Sequence, residues 1–376
     1  MISISLCMIV RDEEDVIGRN LECAKEIADE IIVVDTGSKD RTKEIALSYT
    51  RHVYDFEWID DFAAARNFSF SKATGEYIMW LDADDVLLPE DREKLIILKE
   101  TLDPAVDLVM MKYNVAFDAA GNPTMSYYRE RLFKRSCNYQ WVGAVHEVIT
   151  PSGYVVYEDI AVTHKKLHAG DPDRNLRIFQ KMKQQGKALD PRQQFYYGRE
   201  LYYHALYLEA AAVLEAFLQE GRGWVENNID ACQTLSNCYQ GLHQEEQGLQ
   251  ALFRSFQYDE PRAEICCDIG RYFFEHHELD SAIFWYELAA NRPRTDIKGG
   301  FQSNDCHGYI PYIQLCVCYS RLGQHEQACF YNEKAAEIKP SDPAVLYNRE
   351  YFKMLESAKK MESVEATDPA AGQTGS

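Results

Sequence analysis

Tyr77-Ile78-Met79-Trp80-Leu81 is apolar throughout and runs directly into Asp82-Ala83-Asp84-Asp85. An unbroken apolar run of this length suits a strand covered on both faces. Three carboxylates in four residues at its carboxyl end stand where open α/β sheets take their ligands. Alternate residues of an extended segment share a side, so Asp82 and Asp84 face the same way. Two hard oxygens so placed can share a divalent cation with a diphosphate. The plainer alternative is a turn with a helix cap, Asp85 or Glu90 leading into a helix over Pro89–Leu102. That alternative explains one of the three acids.

Outward from this corner, strands are expected at Ser3–Ile9, Glu30–Asp35, His52–Phe56, Tyr77–Asp82 and Leu108–Phe117. Helical patterns lie between them at Val16–Ala28, Lys39–Tyr49, Asp60–Lys72 and Pro89–Leu102. This alternation predicts an α/β domain with a mostly parallel sheet covered on both faces. After Asp118 the segments read as antiparallel, with a turn at Ala120-Gly121-Asn122-Pro123. A second corner, Ile31-Ile32-Val33-Val34-Asp35-Thr36-Gly37-Ser38-Lys39-Asp40-Arg41-Thr42, joins an apolar strand to a tight glycine turn and a helix start. It lacks the G-x-G-x-x-G spacing of dinucleotide loops, which disfavours a nicotinamide cofactor. Asp35 there could accept the imide N–H of a uracil, or simply close an ordinary strand–turn–helix corner.

Composition narrows the classes. The chain has 376 residues, 60 acidic and 40 basic, a formal net charge of -20. Such acidity argues against nucleic acid as a partner, because backbone phosphates require cationic neutralisation. Apolar residues reach 46%, enough for real cores. No apolar run is long enough to span a bilayer, and Met1-Ile2-Ser3-Ile4-Ser5-Leu6 lacks the pattern of an export signal, so a cytoplasmic location is expected. Eleven cysteines, an odd number, argue against a disulfide framework. Cys266-Cys267 and Cys316-Val317-Cys318 are not at zinc-ligand spacing and read as small buried thiols in helix packing.

From about residue 190 the chain reads as helix after helix, and it repeats. Cys232, Leu235, Ser236, Tyr239, Gly248 and Leu252 recur as Cys266, Ile269, Gly270, Phe273, Ala282 and Tyr286, each 34 residues on. The set recurs at Tyr312, Leu315, Cys316, Tyr319, Ala328 and Asn332, now offset by 46, which places an insertion around Arg294–Gly308. Tyr197, Gly198, Leu201, Ala210 and Leu214 form a weaker first copy. A 34-residue period with small residues where paired helices cross is the tetratricopeptide pattern. The expected division is a domain over 1–170, a helical linker over 171–189, repeats over 190–360 and a disordered tail over 361–376.

Met8-Ile9-Val10-Arg11-Asp12-Glu13-Glu14, the Val33–Thr42 segment, Ala65-Arg66-Asn67 and Leu81-Asp82-Ala83-Asp84-Asp85 together resemble family 2 glycosyltransferases of the GT-A fold. The resemblance covers about residues 1–170, and the fusion to repeats resembles a bacterial subgroup that includes peptide S-glycosyltransferases. It implies a nucleotide-sugar donor and Mg²⁺ or Mn²⁺. Carried over by position, Val10 and Asp12 line the base pocket with Glu14 nearby, and Asp35 contacts uracil. Arg66 lies near the diphosphate or base. Asp82 holds ribose or a metal-bound water, Ala83 is a donor-binding position beside it, and Asp84 ligates the metal. A downstream histidine, His164 or its competitor His168, completes the metal site. The stretch Tyr127–Arg135 with Trp141–Glu147 resembles the part that closes over the sugar. There Trp141 would stack on the ring or lie buried, and the basic stretch would balance phosphate or form a solvated strand face. Glu147 is the first candidate for the general base and Asp159 the second. The family usually has an acidic pair where this chain has His146-Glu147, so His146 could itself serve or orient the glutamate.

These readings describe an inverting, metal-dependent transferase that moves a hexose from a UDP-sugar to a Cys, Ser or Thr side chain of a peptide or protein. The repeats would present that acceptor or build a homodimer. The alternatives are transfer to a cell-envelope saccharide, and an inactive repeat adaptor.

Overall fold

The structure, a computed structural model, describes residues 1–117, 121–167, 170–293 and 303–366, with side chains as far as residue 358. Asp118, Ala120 of the expected turn, His168, residues 294–302 of the expected insertion and residues 367–376 of the expected tail lie outside the described residues.

The chain forms two compact units, Met1–Gly248 and a second beginning at Leu249. The first opens with β1 (Ile4–Val10), α1 (Ile17–Ala24), β2 (Glu30–Asp35), α2 (Thr42–Tyr49), β3 (Val53–Asp55), α3 (Phe62–Phe70) and β4 (Tyr77–Trp80). It continues through β5 (Asp85–Leu87), α4 (Pro89–Thr101), β6 (Leu108–Phe117), β7 (Pro123–Lys134) and β8 (Val155–His164). All eight strands belong to one sheet in the order β3-β2-β1-β4-β7-β6-β8-β5. β1 pairs in parallel with both β2 and β4, and β2 with β3. β7 runs antiparallel to β4 and β6, and β8 is parallel to β6.

The strand pleat sorts the core into two layers. Ile4, Leu6 and Met8 of β1 join Val33, Met79 and Leu81 on one face with Leu21 of α1 and Leu95 of α4. Cys7, Ile32, Val34, Ile78 and Trp80 face the other way, onto Phe70 of α3, Phe133 and Trp141. Each fully buried aliphatic or aromatic side chain here contributes about 1.5–3 kcal/mol. Local signals set the helix starts. Asp61 caps α3 by accepting from Ala64 N at 2.9 Å, and α4 starts on Pro89, whose missing N–H is no loss at that position. Asp85 and Glu90 do not cap α4; its N-cap is Leu88, without a side-chain hydrogen bond.

The first unit then adds α5 (Arg174–Gln184), α6 (Pro191–Tyr203), α7 (Tyr207–Glu220) and α8 (Val225–Gly241). The region read as a linker is thus a docked helix. Phe179 of α5 is fully buried, and Lys181 pairs with Asp60 at 2.5 Å. α6 begins with a complete capping box between Asp190 and Gln193. α6 and α7 cross closely: a β-carbon on Gly198 would stand 2.6 Å from Leu214. α9 (Glu245–Arg254) carries the chain into the second unit, which holds α10 (Ala263–Glu275), α11 (Leu279–Ala290), α12 (Tyr309–Arg321), α13 (His325–Ile338) and α14 (Pro343–Ala366). There Gly270 abuts Tyr286 as the repeat spacing requires. Cys266, Cys267, Cys316 and Cys318 are buried free thiols. Residues 361–366, read as tail, continue helix α14. No described helix is long and apolar enough to cross a membrane.

The first repeat helices lie in the same compact unit as the sheet; their inner faces pack on one another, as Phe195 does on Phe217, and α6 reaches the loop at His146 through Tyr196 and Glu200. A chain ended after residue 189 strips away buried Phe195 and Glu200, and it is expected to lose cooperative melting by circular dichroism. A chain ended after Gly248 should keep a cooperative transition. An unchanged transition in the shorter chain would show that the sheet stands without α6.

Candidate active site

A cleft of about 2150 Å³ opens at the carboxyl ends of β1 and β4. Of the residues expected there, Val10, Asp12, Arg66, Asp82, Asp84, His146, Glu147 and His164 bound it.

The corner after β4 is held from behind. Asn20 of α1 donates to the carbonyls of Asp82 (2.8 Å) and Asp85 (2.7 Å). Asp85 is fully buried and opens β5, whose pairing sets it opposite His164 on β8. Its carboxylate accepts from Arg131 (3.1 Å), from the Tyr113 hydroxyl (2.9 Å) and from Asp82 N (3.1 Å). Arg131 is as buried as its partner. Its Nε and Nη2 have no hydrogen-bond partner among the described residues; the guanidinium lies 3.9 Å from the centre of the Trp80 ring, a cation–π contact. Strand register thus delivers His164 to the acidic corner. Its Nδ1 lies 3.5 Å from Asp84 Oδ1 and 3.4 Å from Asp85 Oδ1.

Asp84, His164 and Asp85 each offer an atom within 4.8 Å of the others. Asp85 is saturated by donors, so it steadies His164, and Asp84 and His164 face the cleft as available ligands. Burial raises the Asp84 carboxyl above its ordinary range; His164 opposes this, while Asp82 and Asp85 add to it. The hydrogen bond to Asp85 raises His164 against the effect of burial, helped by the charge of Asp84. A carboxylate short of counter-charge beside an imidazole fits a divalent cation.

Asp82 is held low: burial pushes its carboxyl up, and Arg66 overcomes that. The buried Arg66 guanidinium binds Asp82 Oδ1 through Nη2 (2.8 Å) and Glu147 Oε1 through Nε (2.6 Å). It lies 4.6 Å from the Trp80 ring centre and 5.0 Å from that of Trp141. One cation therefore sets the spacing between the acidic corner and the base candidate.

The loop after β1 is stitched to the Asp35 corner. Asp12 has φ +53°; its carboxylate accepts from Lys39 N at 2.7 Å and its N–H donates to Ser38 Oγ at 3.0 Å. Glu14 is exposed and accepts from Arg41 N at 3.0 Å, so it is a tether and not a pocket wall. Glu13 bounds the cleft instead. Burial, then the charges of Asp84 and Asp82, push its carboxyl up to about 7. Asp35 is buried with Oδ1 spent on Ser38, at 3.0 Å to N and 2.5 Å to Oγ.

Four other expectations need correction. Asp159 is 76% exposed and paired with Lys112 at 2.7 Å and Lys94 at 3.6 Å, on the solvent side of β8. A base needs to face its substrate, and Asp159 does not. Trp141 is 2% exposed and packed edge-on against Trp80 and Phe70; Trp58 and Trp80 bound the cleft. Ala83 is packed into the core. The basic stretch of β7 is no solvated face, since Arg131 is wholly buried and Arg129 borders the cleft beside Glu130. Sequence reasoning also missed Tyr196 and Glu200 of α6, which reach His146.

Residues 5–152 match the family model described as Glycosyl transferase family 2, in line with the resemblance read from the motifs, and tetratricopeptide-like repeats follow. Over 153 residues the chain is 38% identical to a TPR repeat-containing protein of Synechococcus elongatus, covering 40% of this chain and 36% of that one. Over 216 residues it is 27% identical to the SPbeta prophage-derived glycosyltransferase SunS of Bacillus subtilis, covering 53% and 49%. The chain thus spans less than half the length of these curated relatives. Among solved structures, glucosyl-3-phosphoglycerate synthase from Mycobacterium tuberculosis, in complex with Mn²⁺ and UDP-glucose, aligns at a TM-score of 0.34 and 15% identity, covering 50% of this chain and 81% of that one. The TPR protein YrrB aligns at 0.37 and 19%, covering 48% and 84%.

Proposed function

We propose that this protein is an inverting, metal-dependent glycosyltransferase that moves a hexose from a UDP-sugar to a side chain of a peptide or protein. The observation that carries this reading is the single cleft in which Asp82, Asp84, His164 and Glu147 meet, with Arg66 joining Asp82 to Glu147.

Val10, Asp12 and Thr36 border the end of the cleft that suits the nucleotide base. Asp35 supports that wall from behind through Ser38. A divalent cation held by Asp84 and His164 would supply neutralisation of the charge on the leaving diphosphate. Glu147 takes the proton of the acceptor as its nucleophile approaches the anomeric carbon opposite the leaving group. Arg66 fixes one oxygen of Glu147 and leaves the other for that proton. A thiol acceptor would ask least of this base, being partly ionised near neutral pH. The repeats receive the acceptor or pair two copies.

The test is a thermal-shift titration with UDP and Mn²⁺. UDP should raise the melting temperature only when metal is present, and Asp84→Ala should abolish the rise. Stabilisation is expected to follow mass action, about 2.7 kcal/mol at a hundredfold excess over the dissociation constant. No response to UDP at any metal concentration would leave the chain as a repeat adaptor without donor chemistry.

A further inference from the structure

His146 is strained and clasped. Its φ of +53° is a left-handed conformation that a residue with a β-carbon rarely adopts. Helix α6 holds it there. The imidazole stacks on Tyr196 with ring centres 4.0 Å apart and planes 12° apart. Its Nε2 lies 2.9 Å from Glu200 Oε1, and Asn175 of α5 donates to the same oxygen at 3.0 Å. Arg192 Nε donates to the His146 carbonyl at 3.2 Å. Glu200 is buried. Burial pushes its carboxyl up, and the hydrogen bonds from His146 and Asn175 outweigh this, so it stays an anion below the usual range.

The rest of the loop is fastened from the sheet side. Val142 and Val148 exchange backbone hydrogen bonds at 2.9 and 3.0 Å, and Phe62 N donates to the Ala144 carbonyl at 2.9 Å. The apex at His146 remains, and α6 secures it. The next residue, Glu147, then meets Arg66.

We propose that Glu200 is a positioning residue for glycosyl transfer: through His146 it sets the backbone turn that aims Glu147 into the cleft. The proposal rests on the reading of Glu147 as base. It makes the first repeat helix part of the transferase site, whatever the remaining repeats bind.

The test uses the full chain with UDP-glucose and Mn²⁺, following UDP release by slow transfer to water, with UDP affinity measured by calorimetry. Glu200→Gln keeps an oxygen acceptor and should stay near the wild-type rate. Glu200→Ala should lose about ten- to a hundredfold in kcat, as removal of a supporting partner does, with KM and UDP affinity unchanged. The double variant His146→Ala/Glu200→Ala should lose no more than His146→Ala alone, because one acts through the other. In crystals of Glu200→Ala, His146 should leave its left-handed conformation and the Arg66–Glu147 contact should open. Glu200→Met replaces the alanine variant if the latter does not fold. Wild-type kcat in Glu200→Ala, additive losses in the double variant, or an undisturbed Arg66–Glu147 contact would each overturn the proposal. If the wild type releases no UDP, the glycosyl-transfer reading fails with this donor, and the crystal comparison still decides whether Glu200 sets the turn.

Discussion

Glu147→Gln is expected to lower turnover by about 10²–10⁴-fold, the usual contribution of a positioned general base, while UDP binds as before. Glutamine keeps an oxygen for Arg66 Nε, which now stands 2.6 Å from Glu147 Oε1, so the loop should hold its place. Arg66 also retains Asp82 at 2.8 Å, which keeps the diphosphate side of the cleft in order. What disappears is the basic oxygen alone. Steady-state rates beside calorimetric UDP affinities separate the two effects. Full activity in Glu147→Gln would remove it as the base and turn attention to His146. A parallel loss of UDP affinity would mean that the residue serves the Arg66 network instead.

Arg131→Met should destabilise the first unit by about 3–5 kcal/mol, because it leaves a buried carboxylate without its counter-charge. Asp85 and Arg131 are both 0% exposed, so water cannot take over. The Tyr113 hydroxyl and Asp82 N remain as uncharged donors, and His164, 3.4 Å away on the cleft side, is the nearby group that can carry charge in place of the buried guanidinium. The double variant Arg131→Met/Asp85→Asn should recover much of the loss, since two neutral groups then replace the pair. Urea unfolding, read as the midpoint shift at constant slope, measures both variants. A shift below about 1 kcal/mol in Arg131→Met, the scale of an exposed pair, would show that the corner is wetter or more plastic than its packing implies.

Much of the fold was legible because β1, β2, β4 and β6 are apolar runs bounded by turn residues, and patterns of that kind are local. β2 and β6 fall at the expected residues, Glu30–Asp35 and Leu108–Phe117. β5 escaped because three residues behind an acid-rich turn carry no periodicity, yet its pairing brings His164 to Asp84. The acids of the site were readable by type and spacing, but not always by number. The left-handed backbone at Asp12 changes which neighbour faces inward, so Glu13 and not Glu14 borders the cleft. Trp80 and Trp141 are alike in sequence and equally buried, and only the packing of the core layer decides that Trp80 is the one to border the cleft. Asp159 looked available because its lysine partners come from other elements. The largest omission was Glu200, 54 residues from His146 in the chain. On a repeat helix a glutamate reads as a solvent-facing charge, and no local pattern marks one that reaches another layer.

The clasp of α6 on His146 bears on how this architecture could be recombined. Transferase and repeats are not interchangeable cassettes. A chimaera spliced behind the sheet would inherit a loosened apex loop, however well each parent half folds. A splice placed behind Gly248 keeps α5 through α8 with their native neighbours, so the later repeats are the portion free to diversify or be grafted.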